Sequence, residues 1–298
     1  MQSTDVDTGR TATSAAGAVL LLLMMPAVAA SVVLAVQSYL GGGFNYSTVM
    51  MVASLALFIY AANGLSDGAE DAANDFIRAA ALRSSAVWTL ALSGSGLAAS
   101  SLLLAADGKL HAIYGLVLLV GIIYSFRVIP HPRGGGRAPV RLKDLPLAKN
   151  VSIGVAWAGA AFLGPVLDLG APPDSPGRVA LLGVGYGLMI GVNSLFCDVR
   201  DEPGDRAGGV QTLPVKYGAK RCFRGTFVLM AAWTTVLAVA FGRGVLDARH
   251  LLFLSSAALG YPAIVWLMVT KVRPSQAVAN GVIESSDIFF ALGLLALR

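Results

Sequence analysis

The chain has 298 residues, of which 56% are hydrophobic and only 13% are charged, and its mean hydropathy is +0.70. About a quarter of the residues in a soluble domain are charged, so this composition excludes an ordinary soluble protein and indicates an integral membrane protein. The formal net charge of +5 is therefore interpreted as a feature of membrane topology, and no nucleic-acid partner is expected. The two cysteines, Cys197 and Cys222, form neither a disulfide framework nor a paired zinc motif.

The alternation of polar and apolar stretches predicts the domain organisation and the transmembrane helices. Residues 1–13 are polar and are expected to be a disordered cytoplasmic N-terminus, and 14–298 are expected to form one membrane domain. No basic cluster precedes the first apolar run, which favours a retained span over a cleaved signal peptide. Stretches of about 20 apolar residues can cross a bilayer. They predict nine transmembrane helices, at 14–36, 46–65, 84–105, 110–126, 148–168, 177–197, 223–242, 250–270 and 279–297. The predicted fold class is all-α, a polytopic membrane bundle.

The distribution of basic residues orients these spans. Lysine and arginine favour cytoplasmic loops. With the N-terminus inside, only five of the 22 basic residues fall outside, namely Lys109, Arg178, Arg243, Arg249 and Arg298. The asymmetry predicts a cytoplasmic N-terminus and an external C-terminus in a cell membrane, which we expect to be bacterial.

An acidic row closes the second span. In "NGLSDGAEDAANDFIR", residues Asn63, Asp67 and Asp71 are four apart and Asp75 continues the row, so one helical face would carry them all. Such a row can be a solvated helix end. Ionisable groups at the edge of the hydrocarbon are costly, however, and usually face a polar cavity or a partner, which favours a bound cation.

A second acidic row closes the sixth span on the same predicted side. Asp198, Asp201 and Asp205 are spaced three and four apart, although Pro203 makes the last turn uncertain. Carboxylate oxygens are the ligands that Mg²⁺ prefers, and Mg²⁺ keeps open positions for phosphate. The three histidines are scattered singly, which argues against a transition metal. Two facing carboxylate rows therefore predict a site for a magnesium-bridged diphosphate.

These features resemble the UbiA superfamily of intramembrane prenyltransferases, which has a nine-helix fold with Asp-rich motifs at the cytoplasmic ends of helices two and six. The first family motif, N-D-x-x-D-x-x-x-D followed by Arg-Pro, is matched by Asn63, Asp67, Asp71 and Arg78. Gly64 and Ala79 depart from it. The second motif is matched more fully, by Asp198, Asp201, Asp205, Gly209, Thr212 to Pro214 and Gly218.

The resemblance implies a central cavity opening to the cytoplasm, in which Mg²⁺ holds the diphosphate of an isoprenoid donor. Pyrophosphate then departs, and a hydrophobic acceptor, aromatic or lipid, captures the allylic cation. The implied metal ligands are Asn63, Asp67, Asp71, Asp198, Asp201 and Asp205, of which Asp67, Asp71 and Asp198 are the catalytic candidates. Glu70 and Asp75 are possible substitutes for the ligand lost at Gly64. The implied substrate-binding residues are Asn63, Arg78, Tyr124, Lys143, Lys149 and Asn193.

Two other functions remain open from the sequence. A terpene cyclase of the same fold would ionise the same diphosphate and capture the cation internally. A transporter would also place carboxylates in the membrane, but more typically near the midplane in broken helices. The glycines at 134–136, in the basic loop after span four, favour a flexible hinge or lid over a phosphate-binding loop, because no strand and no Gly-Lys-Ser/Thr helix flank them.

Overall fold

A computed structural model describes residues 8–66, 76–104, 108–133, 136–169, 176–207, 209–272, 282–283 and 285–298. Within these ranges the protein is almost entirely helical. Its elements are α1 (Thr8–Tyr39), α2 (Tyr46–Ser66), α3 (Phe76–Leu103), α4 (Gly108–Ser125), β1 (Ile129–Arg133), β2 (Gly136–Val140), α5 (Pro146–Asp168), α6 (Pro176–Ala207), the short α7 (Leu213–Tyr217), α8 (Ala219–Gly242), α9 (Ala248–Thr270) and α10 (Ser286–Leu297).

The predicted polytopic bundle is confirmed. Seven helices in the described ranges are long and apolar enough to cross a membrane, and two shorter apolar helices are Leu23–Tyr39, within α1, and Ser286–Leu297. Each overlaps one of the nine predicted spans. Helix α1 begins at Thr8, inside the stretch expected to be disordered, whereas residues 1–7 lie outside the described part of the chain.

Glycines set the contact between α5 and α6. A Cβ atom placed on Gly154 would come within 2.4 Å of the carbonyl oxygen of Gly187, and one on Gly191 would come within 3.2 Å of the carbonyl oxygen of Asn150. Small residues let membrane helices approach to backbone contact. The close crossing brings the first turns of α5 against the last turns of α6, where the polar residues lie.

Prolines shape the long helices without ending them. Pro165 follows a π-helical turn at Ala158–Leu163, and Pro262 follows another at Ser256–Gly260. Proline lacks an N–H group, and a local change of helical pitch is a known way to accommodate the missing hydrogen bond. Helix α6 also continues through Pro203 to Ala207, which keeps Asp205 on the same helix as Asp198.

A two-stranded antiparallel hairpin interrupts the helical pattern between α4 and α5. Strands β1 and β2 pair from Ile129 with Val140 to Arg133 with Gly136. The glycines at 134–136 were expected to form a flexible hinge or lid with no strand before them, whereas β1 directly precedes them. The prolines at 130, 132 and 139 weaken a strand pattern. Such a two-stranded hairpin tolerates them, since residues facing away from the partner strand need no ladder hydrogen bond. Residues 134–135, at its tip, lie outside the described ranges.

Candidate active site

Several of the polar side chains predicted for the site lie together at one end of the bundle, within the described part of the chain. There α2 ends at Ser66, α4 ends at Ser125, α5 begins at Pro146 and α6 ends at Ala207. A 3₁₀ turn, Leu142–Asp144, joins the hairpin to α5 at the same end. Direct hydrogen bonds connect side chains from the turn to α2 and from α5 to α6. The sequence-based expectation that spans two and six end together is consistent with these contacts.

The carboxylate of Asp198 is the most enclosed charge in this group. Only 2% of its side chain is exposed, and Lys149 donates a hydrogen bond to its Oδ1 atom in an ion pair. The Nδ2 atom of Asn150 donates to Asp198 Oδ2 at 3.1 Å and also to Ser194 Oγ at 3.1 Å. A buried carboxylate needs such compensation, because unpaired charges are strongly disfavoured away from water.

Lys143 is the second basic side chain of the site, after Lys149. Its Nζ atom donates to Asn63 Oδ1 at 2.9 Å and lies 5.9 Å from the centre of the Tyr124 ring. Burial, and after it the charge of Lys149, lower the pKa of Lys143 from 10.5 to about 7. An anion placed beside Lys143 would favour its protonated form. A bound anion would therefore keep Lys143 in its ammonium form.

Arg141 and Asp144 hold this turn in place. The backbone N–H of Arg141 donates to Asp144 Oδ2 at 2.9 Å, and the guanidinium donates to Oδ1 at 2.7 Å. Burial opposes the charge on Asp144, but the hydrogen bonds from Arg141 outweigh it and hold the pKa of Asp144 below its usual range. The ion pair therefore fixes the backbone on both sides of Lys143.

The other residues of the second acidic motif have different surroundings. Asp201 forms an ion pair with its neighbour Arg200 at 2.7 Å. Asp205 is buried at the end of α6, and its backbone oxygen accepts from the N–H of Val210 at 2.8 Å. Asn193 accepts a hydrogen bond from the hydroxyl of Tyr261 on α9. The described contacts of Asn193 thus tie α6 to α9, and they do not involve Lys143 or Lys149.

The first acidic motif is described only at its beginning. Asn63 lies in the last turn of α2, in contact with Lys143. Asp67, Glu70, Asp71 and Asp75 lie outside the described residues, and for Arg78 the structure describes the helical backbone of α3 but not the side chain. The predicted roles of these residues therefore stay predictions.

The donor atoms in the described part of the site suit a hard cation. They are carboxylate and amide oxygens, and the Oδ1 atom of Asn150 is buried beside Asp198 with no hydrogen-bond partner in the described part of the chain. Oxygen ligands of this kind fit Mg²⁺. Among the described residues alone, no group of three acidic, histidine or cysteine side chains is close enough to hold an ion. Asp198 and Asp201 are instead paired with Lys149 and Arg200.

Two contributors were not predicted as site residues. The sequence assigned no role to Asn150 or to Ser194, yet both complete the hydrogen bonding around Asp198. Ser194 lies four residues before Asp198, on the same face of α6, and this spacing is the signal by which it could have been found. No sequence signal pairs Asn150 with Asp198, because that contact depends on the crossing of α5 and α6.

Two apolar spaces approach the polar group. A cavity of about 250 Å³ lies among α1, α2, α4 and α5, and Asn63 and Tyr124 are among its lining residues. A groove of about 1070 Å³, named the α5/α8 groove here, runs along α5 and α6 between α4 and α8. The groove is larger, but of the site residues above it includes only Asn150, so the smaller cavity is the one more directly connected to the predicted chemistry.

Known proteins share both the sequence pattern and the fold. The sequence profile of the UbiA prenyltransferase family matches residues 16–292. Digeranylgeranylglyceryl phosphate synthase of Methanosarcina mazei is 30% identical over 159 residues, which are 51% of this chain and 50% of that protein. Homogentisate phytyltransferase of Synechocystis sp. is 30% identical over 152 residues, which are 47% of this chain and 46% of that protein. These alignments span about half the length of either curated relative.

Solved structures agree over nearly the whole chain. A UbiA homolog from Archaeoglobus fulgidus bound to GPP and Mg²⁺ has a TM-score of 0.61 at 17% identity, covering 93% of this chain and 99% of that one. A structure of digeranylgeranylglyceryl phosphate synthase has a TM-score of 0.58 at 14% identity, covering 96% of this chain and 99% of that one. At these identities the similarity shows the fold.

Proposed function

Because the chain belongs to the UbiA prenyltransferase family, we propose that it is a Mg²⁺-dependent intramembrane enzyme that transfers an isoprenoid group from a prenyl diphosphate to a hydrophobic acceptor. The curated relatives carry names of a lipid product, digeranylgeranylglyceryl phosphate, and of an aromatic compound, homogentisate. Both names support an acceptor that is either a lipid or an aromatic compound. The family match and the helices long enough to cross a bilayer make the chain an integral, multi-pass membrane protein.

The main support for this proposal is the position of two lysines in the candidate site. Two buried or half-buried ammonium groups, Lys143 and Lys149, lie beside oxygen donors from α2 and α6 at the polar end of an apolar cavity. This combination suits a molecule with a highly charged head and an apolar chain. A transporter offers no comparable reason for lysines and carboxylates to meet at one end of the bundle rather than near the midplane.

The protein side of the reaction follows from these positions. Lys143 and Lys149 would bind the diphosphate oxygens by charge-assisted hydrogen bonds, and Asn63 would orient Lys143. Asn63, Asp67, Asp71, Asp198, Asp201 and Asp205 would hold Mg²⁺. When bound, Mg²⁺ stabilises the negative charge that develops on the departing diphosphate.

The apolar cavity has a protective role in this proposal. Its walls are mostly aliphatic side chains from α1, α2, α4 and α5, with Tyr124 at the end near Lys143. Water kept out of this space cannot capture the allylic cation, so the cation survives until the acceptor carbon attacks. The faces of aromatic rings attract cations, so the ring of Tyr124 is placed to stabilise the allylic cation near the departing diphosphate.

The proposed orientation puts the site at the cytoplasmic face, with the N-terminus inside. Lys143, Lys149, Arg200 and Arg206 all lie at the site end of the bundle, whereas Arg178 and Arg298 contact residues at the other end. The excess of basic residues at the site end supports this orientation.

The proposal is tested with purified protein in liposomes. Mg²⁺ and geranyl, farnesyl or geranylgeranyl diphosphate are added, with and without homogentisate and a membrane lipid extract, and products are identified by mass spectrometry. Prenylated acceptor and released pyrophosphate are expected, and an Asp198→Asn variant should give neither. Cyclic hydrocarbons formed without an acceptor would instead identify a terpene cyclase. An unconsumed donor under all conditions would reject both activities.

A further inference from the structure

The α5/α8 groove has features that the proposed reaction does not use. Its walls include side chains that are strongly exposed although they are apolar, such as Leu147 (66% exposed), Val155 (66%) and Val184 (51%). Surfaces of this kind are covered by lipid in a membrane protein, so the groove opens sideways to the bilayer. It reaches the site only through Asn150, whose Nδ2 atom bonds Asp198.

The site end of the groove is basic. Arg221 lines it at the start of α8, and the same segment carries Lys216, Lys220 and Arg224, all exposed. No acidic residue occurs in the sequence between Asp205 and Asp247. The ion pairs found among the described residues include none with these four cations. The groove therefore joins an apolar channel to a concentrated positive charge.

A polar group lies deeper on the same face of α8. Thr226 is 3% exposed and lines the groove, and its hydroxyl has no hydrogen-bond partner among the residues that the structure describes. Arg221, Gly225 and Thr226 all line the groove, and Thr226 follows Arg221 by five residues, which is about 7.5 Å along the axis. A buried hydroxyl without a partner costs free energy unless a ligand accepts its proton.

We propose that this end of the groove binds an anionic glycerophospholipid from the bilayer. The lipid phosphate pairs with Arg221, an ester carbonyl accepts from the hydroxyl of Thr226, and an acyl chain lies over Gly225 and Leu229 against α5. The distance from Arg221 to Leu229 along α8 is about 12 Å, close to the depth of one leaflet's hydrocarbon. The phosphate, ester and acyl chain of the lipid are thus in the same order as the charged, hydroxyl and apolar residues along α8.

A second copy of the chain is a poorer occupant. In a two-fold symmetric dimer the same patch faces itself, so the cations at 216, 220, 221 and 224, which have no ion pair within the described ranges, would be brought together. Like charges at such an interface are unfavourable. An anionic lipid offsets the same charges and also pairs the hydroxyl of Thr226.

The test is native mass spectrometry of the full chain in detergent micelles containing phosphatidylglycerol or phosphatidylcholine with identical acyl chains. The wild-type protein should retain phosphatidylglycerol preferentially. Arg221→Gln should lower that retention by roughly ten-fold or more, the effect of losing a charge-assisted hydrogen bond. Arg243→Gln, an exposed arginine at the opposite end of α8, is the matched control and should retain the lipid.

Two further variants test the deeper contacts. Thr226→Val should weaken retention of ester-linked phosphatidylglycerol but not of its ether-linked analogue, which lacks the carbonyl. Gly225→Leu should fill the groove and reduce lipid retention, since a Cβ atom at Gly225 meets nothing within 4 Å and the larger side chain can be accommodated without a clash. Gly115→Leu on α4 is the control, because it is equally unobstructed but lies outside the groove, and it should not change lipid retention. Melting temperatures verify that each variant is folded.

The proposal fails if wild-type protein retains both lipids equally, or if Arg221→Gln and Arg243→Gln behave alike. It also fails if the protein is a stable dimer that carries no lipid and Gly225→Leu separates it into monomers. None of these outcomes bears on prenyl transfer, because the assay contains no prenyl diphosphate.

Discussion

Lys149 on α5 and Asp198 on α6 form an ion pair in which the carboxylate is 2% exposed and the ammonium 21%. The two helices can place these groups together because Gly154 and Gly187 meet at backbone distance farther along the same crossing. Asn150 donates to the remaining carboxylate oxygen. A charge so enclosed is costly without its partner, and it lies where the proposed reaction needs both a cation and a metal ligand.

Removing one partner of this pair should destabilise the protein. Lys149→Gln leaves the carboxylate of Asp198 buried without its cation, and such a loss typically costs about 3–5 kcal/mol. Arg206→Gln is the matched control, because it removes an ion pair with Glu202 in which the arginine is 61% exposed, worth about 1 kcal/mol or less. Melting temperatures in detergent should fall clearly for Lys149→Gln and barely for Arg206→Gln. Equal shifts would mean that the Lys149 pair is as solvated as the surface pair.

Loss of the Lys143 ammonium should weaken donor binding. Lys143→Ala removes one charge-assisted hydrogen bond to the diphosphate, worth about 1.5–3 kcal/mol, so kcat/KM should fall roughly 10- to 150-fold. Asp144→Ala should have a smaller effect of the same kind, because it releases the turn held by Arg141 without removing the cation. Steady-state kinetics with a fixed acceptor measure both. An unchanged kcat/KM in Lys143→Ala would remove Lys143 from the donor site.

The α5–α6 crossing should be intolerant of a single methyl group. Gly154→Ala would force a Cβ atom against the carbonyl oxygen of Gly187, and overpacking of this kind costs about 1–3 kcal/mol. Gly159→Ala, on the same helix, meets its nearest side-chain atom at 3.4 Å, an ordinary contact. We expect a lower melting temperature and reduced turnover only for Gly154→Ala, since the shift would also move Lys149 away from Asp198. Identical behaviour of the two variants would contradict the described crossing.

Cysteine labelling tests the proposed orientation. Single cysteines at Arg206 and Arg243, exposed at opposite ends of the bundle, are introduced after Cys197 and Cys222 are replaced by alanine. In intact cells a membrane-impermeant maleimide should label position 243 and leave position 206 unlabelled until the membrane is opened. The reverse pattern would place the site outside.

The sequence predicted the bundle and the grouping of Asn63, Lys143, Lys149 and Asp198 in one candidate site, but not the contacts between them. Nine spans and the shared end of Asn63 and Asp198 follow from hydropathy, acidic spacing and the basic residues of the loops, all of which are local or additive signals. The partners of Asp198 and Asn193 could not be predicted in this way. They depend on which helix faces meet, and in the α5–α6 case on glycines whose effect appears only when both helices are packed.

The hairpin between α4 and α5 illustrates the same limit. Its prolines and glycines lie in a basic loop and indicate a turn or hinge rather than two strands. The paired strands and the contact between Arg141 and Asp144 position Lys143 so that it donates a hydrogen bond to Asn63. Lys143 was predicted from the family resemblance, whereas its contact with Asn63 required the fold.

Metal dependence of donor binding is the decisive test of a magnesium-bridged diphosphate. The motif carboxylates, among them Asp198 and Asp205, would repel a diphosphate, and the two nearby ammonium groups of Lys143 and Lys149 are too few to offset them, so donor binding requires Mg²⁺ as the bridge. The measurement is the melting temperature of the purified protein with a non-hydrolysable prenyl diphosphate analogue, in Mg²⁺ or in excess EDTA. We expect the analogue to raise the melting temperature in Mg²⁺ and to leave it unchanged in EDTA. Equal stabilisation in both would contradict a magnesium-bridged diphosphate.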